Sequence, residues 1–173
     1  MRNWKNEHMQ VQNDIAVASF VGKKVNYYQK KWAVGTRRRG GMSWNWAAFL
    51  FSGLWLAYRR MYWQALLTVF AWSVAFFLSI TFFPPPLGSK VINVLNIGMA
   101  VTLGWRGNDW YKAHVEAVIE RLRAKGSCQE QFEVAVRRRG GTSWLAVIGV
   151  FLCLLALIYP LIVLRNIVIW AGW

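Results

Sequence analysis

Three stretches of this chain carry no charged residue: Trp63 to Phe83, Val91 to Trp105 and Trp144 to Leu164. The first and third are 21 residues long and the second is 15. About 20 apolar residues in helical conformation cross ~30 Å of hydrocarbon. A chain of 173 residues has too little remaining mass to cover three such helices in water. The expectation is an all-α, polytopic membrane protein with three spanning helices. The short second stretch carries the polar pair Asn93 and Asn96, one helical turn apart.

The charge distribution orients these spans. The net charge is +14, yet the placement of the charges matters more than their sum. Residues 1–43 carry nine Lys/Arg and residues 106–141 carry eight, together seventeen of the 21. Basic residues stay on the cytoplasmic side of the inner membrane, so both segments are expected there. The chain then leaves at 63–83, returns at 91–105 and leaves again at 143–164, which puts the N-terminus inside and the C-terminal tail outside. Residues 1–40 hold Arg2, Lys5, Lys23, Lys24, Lys30 and Lys31 without an apolar run of signal length, so no cleavable leader is expected.

One segment resists this scheme. In SWNWAAFLFSGLWLAYRRMY, positions 43–62, the apolar part Trp44 to Tyr58 has 15 residues, only ~22 Å of helix. A span here would carry Arg59, Arg60 and the whole later basic segment to the outer side. The expectation is an interfacial or re-entrant helix, with an ordinary short span as the alternative. Five segments follow: a basic cytoplasmic region over 1–43, the interfacial helix over 44–62, a transmembrane hairpin over 63–105, a cytoplasmic helix and linker over 106–142, and a last span with an outer tail over 143–173.

A phrase written twice supports the anchoring scheme. RRRGGMSW at 37–44 returns as RRRGGTSW at 137–144, each time before an apolar run. Arg37, Arg38, Arg39 and Arg137, Arg138, Arg139 suit anionic headgroups, at about 1 kcal/mol each near the surface. Ser43 and Ser143 are placed to cap helices. Trp44, Trp46 and Trp144 suit headgroup depth, with Arg59 and Arg60 at the far end of the short helix. These eight arginines and three tryptophans are the expected lipid and interface anchors.

Small residues mark expected helix-packing stripes: Ala71, Ala75 and Ser79 in one span, and Ala146, Gly149, Cys153 and Ala156 in another. Pro160 is placed to kink the last span. Two cytoplasmic amphipathic helices are also legible. In FVGKKVNYYQKKW, Val21, Val25, Tyr28 and Trp32 share a face; in NDWYKAHVEAVIERLRAKG, Tyr111, Val115, Ile119 and Leu122 do so, between a cap at Asn108 and a stop at Gly126. CQEQFEVAV alternates weakly and reads as extended.

No constellation for chemistry is visible. His8 and His114 are the only histidines, Cys128 and Cys153 the only cysteines, and neither pair has metal-ligand spacing. No span holds a His, Asp, Glu, Lys or Arg before Arg165, so no proton relay of the usual kind is expected. Catalytic, cofactor-binding and metal sites are all expected to be absent, and the chain is not expected to be an enzyme.

FVGKKVNYYQKKW, SWNWAAFLFSGLWLAYRRMY and GNDWYKAHVEAVIERL resemble, in order and spacing, the bacterial inner-membrane family labelled domain of unknown function 2628. The likeness covers about Phe20 to Leu122 and implies a small, Trp-rich inner-membrane protein without an assigned activity. This chain departs from that pattern by continuing past Leu122 into a second RRRGG-SW and another span.

The functional expectation is a non-catalytic accessory subunit or assembly factor of a larger inner-membrane complex, respiratory or photosynthetic in type. Its partners would be other integral membrane subunits and anionic phospholipids, with no nucleic acid and no cofactor. The alternative is a small oligomeric transporter or lipid-handling protein that uses Asn93 and Asn96.

Overall fold

A computed structural model of the chain describes residues 2–37, 43–126 and 128–170. Among these the structure is all-helical: α1 Arg2–Val21, a 3-10 turn Gly22–Lys24, α2 Val25–Arg37, α3 Trp46–Tyr58, α4 Tyr62–Phe82, α5 Pro85–Arg123, α6 Gln129–Arg139 and α7 Trp144–Trp170. Among the described residues, two helices are long and apolar enough to cross a membrane, Tyr62–Phe82 and Pro86–Arg123, or three if Gln129–Arg139 with Trp144–Pro160 counts as one broken span. Trp46–Tyr58 is a shorter apolar helix. Contacts divide the chain into one unit of Met1–Asn45 with Trp105–Thr142, and another of Trp46–Gly104 with Ser143–Trp173.

In the first unit α1 packs against α2 and α6. The two expected stripes form its core: Val21, Tyr28 and Trp32 are buried, as are Tyr111, Val115, Ile119 and Leu122. Their aromatic rings meet in a triangle, with centroids 4.8 Å apart for Tyr28–Tyr111, 5.7 Å for Tyr28–Trp32 and 6.0 Å for Trp32–Tyr111. Such pairs contribute about 0.5–1.5 kcal/mol each beyond area burial. Residues 20–32 are not one helix, however. Gly22 takes φ +71 and separates α1 from α2, a conformation that glycine adopts without steric penalty.

Two further expectations are corrected here. CQEQFEVAV is helical, because Phe132 and Val136, four apart, are buried while Val134 between them is 60% exposed. A period of four therefore wins over a period of two. Glu130 in the first turn and Arg137 to Arg139 in the last also complement the helix dipole. Asn108 caps nothing: it lies inside α5, which runs unbroken through the change from apolar to polar composition. Gly126 does stop that helix, with φ +65.

The second unit packs α3, α4 and α7 together. Helix α3 ends in a Schellman turn. Met61 N–H donates to the Leu56 carbonyl at 2.9 Å and Arg60 N–H to that of Ala57 at 3.0 Å, with Arg60 in the left-handed region at φ +60. Met61 and Leu56, the residues such a turn brings together, are both buried. At the other tip, Phe83 is extended before Pro84, as a residue preceding proline prefers. Ser79 Oγ donates to the Gly88 carbonyl at 2.7 Å to close the α4–α5 hairpin.

The outer surface of α4 is inverted relative to a water-soluble helix. Trp63, Leu67, Phe70, Val74 and Phe77, spaced four and three apart, point away from the unit, Trp63 and Phe70 being 69% and 67% exposed. Ala65, Val69 and Ser79 are the buried positions. Small residues inside and large apolar ones outside is the arrangement of helices whose surroundings are themselves apolar.

Candidate functional site

Asn108 organises the buried polar site of the first unit. Its side chain is 0% exposed, so every polar atom needs a protein partner. Nδ2 donates to the Ser43 carbonyl at 2.8 Å and to Ser43 Oγ at 2.9 Å. Oδ1 accepts from Asn45 Nδ2 at 2.8 Å, and the backbone carbonyl accepts from Trp32 Nε1 at 3.0 Å. Lys31 Nζ donates to the Trp44 carbonyl at 3.0 Å at the edge of this junction. Helix α2, residues 43–45 and helix α5 are thus tied at one point. The groups are amides, a hydroxyl and an indole, none of which titrates near neutral pH. The junction positions segments.

Beside it, α1, α2 and α5 enclose a cleft of about 610 Å³ lined by Asn13, Asp14, Gln29, Trp32, Lys112, Glu116 and Arg123, among others. Arg123 donates to Asn13 Oδ1 at 2.9 Å, and Lys112 stands 3.9 Å from Glu116. Two acidic and two basic groups line this cleft, so its charge selects neither anions nor cations. Among the described residues no group of His, Cys, Asp and Glu is placed to hold a metal ion. His114, half-buried on α5, meets the Phe20 ring at 6.1 Å. Burial, then the charge of Arg121, pushes its pKa below the usual imidazole value.

The expected anchors fall into different environments. Arg38 and Arg39 lie outside the described residues, as does the side chain of Arg37, whose backbone closes α2. Ser43 belongs to the Asn108 junction and caps no helix, a correction to the sequence expectation. Trp44 is half-buried and Trp46 exposed, edge-on to Phe49 at 5.9 Å. Arg59 is only 4% exposed, folded over the Tyr58 ring at 5.7 Å. Arg60 is half-exposed in the turn. Arg137, Arg138, Arg139 and Trp144 are exposed, with Trp144 against Tyr58 at 5.1 Å. Ser143 is a helix cap as expected, its Oγ accepting from Ala146 N–H at 3.2 Å.

Of the packing stripes, Ser79 is buried against Gly88, Ala75 is half-buried and Ala71 exposed. Ala146 and Cys153 are half-buried, while Gly149 and Ala156 are exposed, and a Cβ on Gly149 would meet nothing within 4 Å. Of the pair Asn93 and Asn96, Asn93 is exposed, and Asn96 accepts a hydrogen bond from Trp72 Nε1 across the α4–α5 pair.

One contact had no sequence expectation. Gly141 N–H donates to the Phe20 carbonyl at 2.7 Å, and a Cβ on the neighbouring Gly140 would lie 2.3 Å from that same oxygen. The second Gly-Gly pair is therefore a docking point on the end of α1. The only trace in the sequence is the pair of glycines itself, whose use as a simple bend is the more obvious reading.

A family model described as Protein of unknown function (DUF2628) matches residues 9–116, more than half of the chain. The chain belongs to that family. The match begins earlier than the resemblance from Phe20 and ends before α6 and α7. It contains Tyr28, Trp32, Ser43, Asn45, Asn108 and Tyr111, the residues of the polar junction and the aromatic rings packed on Trp32. No curated protein and no solved structure matches the chain.

Proposed function

We propose that this member of the family is a non-catalytic accessory subunit or assembly factor, seated in the bacterial inner membrane against the helices of a larger complex of respiratory or photosynthetic type. Residues 63–83, 91–105 and 143–164 cross the bilayer, both basic segments lie on the cytoplasmic side, and the C-terminal tail is outside. The exposed Arg137, Arg138 and Arg139 hold anionic lipid.

The supporting observation is the outward face of α4, where Trp63, Leu67, Phe70, Val74 and Phe77 are exposed among the described residues. A continuous apolar face of this length suits lipid along part of its extent and a foreign helix along the rest. The transporter reading has less behind it, since Asn96 is engaged with Trp72 and Asn93 is exposed.

Extraction in a mild detergent tests the reading. The chain, 20.0 kDa by itself, should migrate with subunits of a larger assembly and lose them when Phe70 and Phe77 are replaced by alanine. Migration as one chain in its micelle, under conditions that keep membrane complexes intact, would sink the accessory role.

A further inference from the structure

We propose that the cavity beside the break in α3 holds the upper part of one acyl chain of a membrane phospholipid. The inference rests on the membrane placement of the second unit given above, and adds to it a specific lipid seat inside the protein.

The cavity exists because α3 is interrupted. Ser52 takes φ 42 and ψ −117 in the middle of the helix, a conformation disfavoured for a side chain with a Cβ and retained where the surroundings enforce it. Immediately after the break, Gly53 draws close to α4, its missing Cβ 3.4 Å from Thr68 Cγ2. Between these points a space of about 240 Å³ opens, walled by Ser52, Thr68, Trp72, Met99, Leu154 and Ile158 with flanking residues of α3.

Its contents follow from its chemistry. Thr68 Oγ1 already donates to the Gln64 carbonyl at 2.8 Å, and the Trp72 indole N–H to Asn96. Most of the remaining wall is hydrocarbon and thioether. A water molecule needs two to four polar partners and finds few here. Phe51 lines the space and is itself 59% exposed, a route by which surrounding hydrocarbon could enter.

The depth fits one part of a lipid. Thr68 and Trp72 lie six and ten residues along α4 from Tyr62, about 9–15 Å below its start at ~1.5 Å per residue. Arg59, Arg60 and Trp63 mark the tip above them. A lipid whose phosphate lies at that tip brings its first methylenes to the level of Ser52. A flexible chain supplied by the bilayer at high local concentration is the occupant that matches this narrow, dry, laterally open space.

Photolabelling tests this on the full chain in vesicles of phosphatidylethanolamine and phosphatidylglycerol, doped with a phospholipid carrying a diazirine on its upper acyl chain. Peptide mapping after irradiation should find adducts on the lining residues Met99 and Leu154 as well as on the outward Phe70 and Phe77. Leu154→Trp and, independently, Ile158→Phe fill the space, and each should bring Met99 labelling down to background while Phe70 and Phe77 stay labelled, which also reports a folded variant. Adducts on the outward residues alone, or Met99 labelling that persists in both filled variants, would overturn the lipid seat and leave the membrane placement standing. Absence of label from Phe70 and Phe77 as well would overturn both.

Discussion

The Cβ that Gly140 lacks would stand 2.3 Å from the carbonyl oxygen of Phe20 and 2.6 Å from its Cα. Both are backbone atoms, which cannot swing aside as a side chain does. The chain beyond the family match is therefore held against the end of α1 at a distance only glycine permits.

Gly140→Ala should accordingly destabilise the protein by about 1–3 kcal/mol, the range for forced overpacking. Gly149→Ala is the matched control in α7, where a Cβ meets nothing, and should be neutral or stabilising by up to about 1 kcal/mol. Thermal unfolding in detergent, followed by tryptophan emission, compares them. Equal midpoints for the two variants would remove the docking role of Gly140.

Asn45 and Asn108 should behave as one unit. Asn108→Ala leaves Asn45 and Ser43 facing an apolar gap, at about 1–3 kcal/mol for buried groups left unmatched. Adding Asn45→Ala should then cost much less than it does alone, with a coupling of about 0.5–3 kcal/mol. Strict additivity in the double-mutant cycle would show the 2.8 Å bond between them to be energetically idle.

Arg60 occupies the left-handed position of the Schellman turn, where glycine is usual. Arg60→Gly should raise stability by about 1 kcal/mol through relief of the left-handed conformation, whereas Arg60→Ala, which keeps a Cβ, should bring no such gain. Equal effects of the two substitutions on the unfolding midpoint would assign the change to the lost charge.

His114 gives the protein an acid-sensitive term. Burial, reinforced by Arg121, lowers its pKa below 6.5 in the folded state, so the unfolded chain binds the proton more readily. Its contribution is fully present above pH 6.5 and declines as pH falls from there toward the lowered folded value. Unfolding midpoints measured from pH 7.5 to pH 5 should drop for the native chain, and His114→Gln should flatten that part of the profile. An unchanged slope in the variant would place the acid sensitivity elsewhere.

Much of the first unit was readable because its core follows simple helical spacing: Tyr111, Val115, Ile119 and Leu122 are all buried. Ser143 was likewise identifiable as a cap, since its neighbours in sequence are its partners in space. The continuity of α5 was not readable, because Arg106–Gly107–Asn108 marks a change of surroundings that resembles a chain break, while the backbone ladder continues through it. Asn108 gave a misleading signal for the same reason. A buried asparagine bonded 65 residues away, to Ser43, carries the same letter as a local helix cap. The break at Ser52 left no trace, since nothing in FLFSGLW but one glycine interrupts a good apolar helix. Long-range pairing and enforced backbone geometry belong to the assembled fold, beyond what local spacing encodes.

The last four carbonyls of α3 are all taken: Trp55 by Arg59 N–H, Leu56 by Met61, Ala57 by Arg60 and Tyr58 by Ser143. Helix ends ordinarily leave such groups to solvent, and that demand pins them to wet surroundings. Here the end of α3 makes no claim on water, so in a bilayer its depth would be limited by side chains and by the first N–H groups of α4, which no side chain caps. Exchanging the guanidinium of Arg60 for an apolar group would free the tip to ride deeper without uncovering a single unpaired terminal carbonyl of α3.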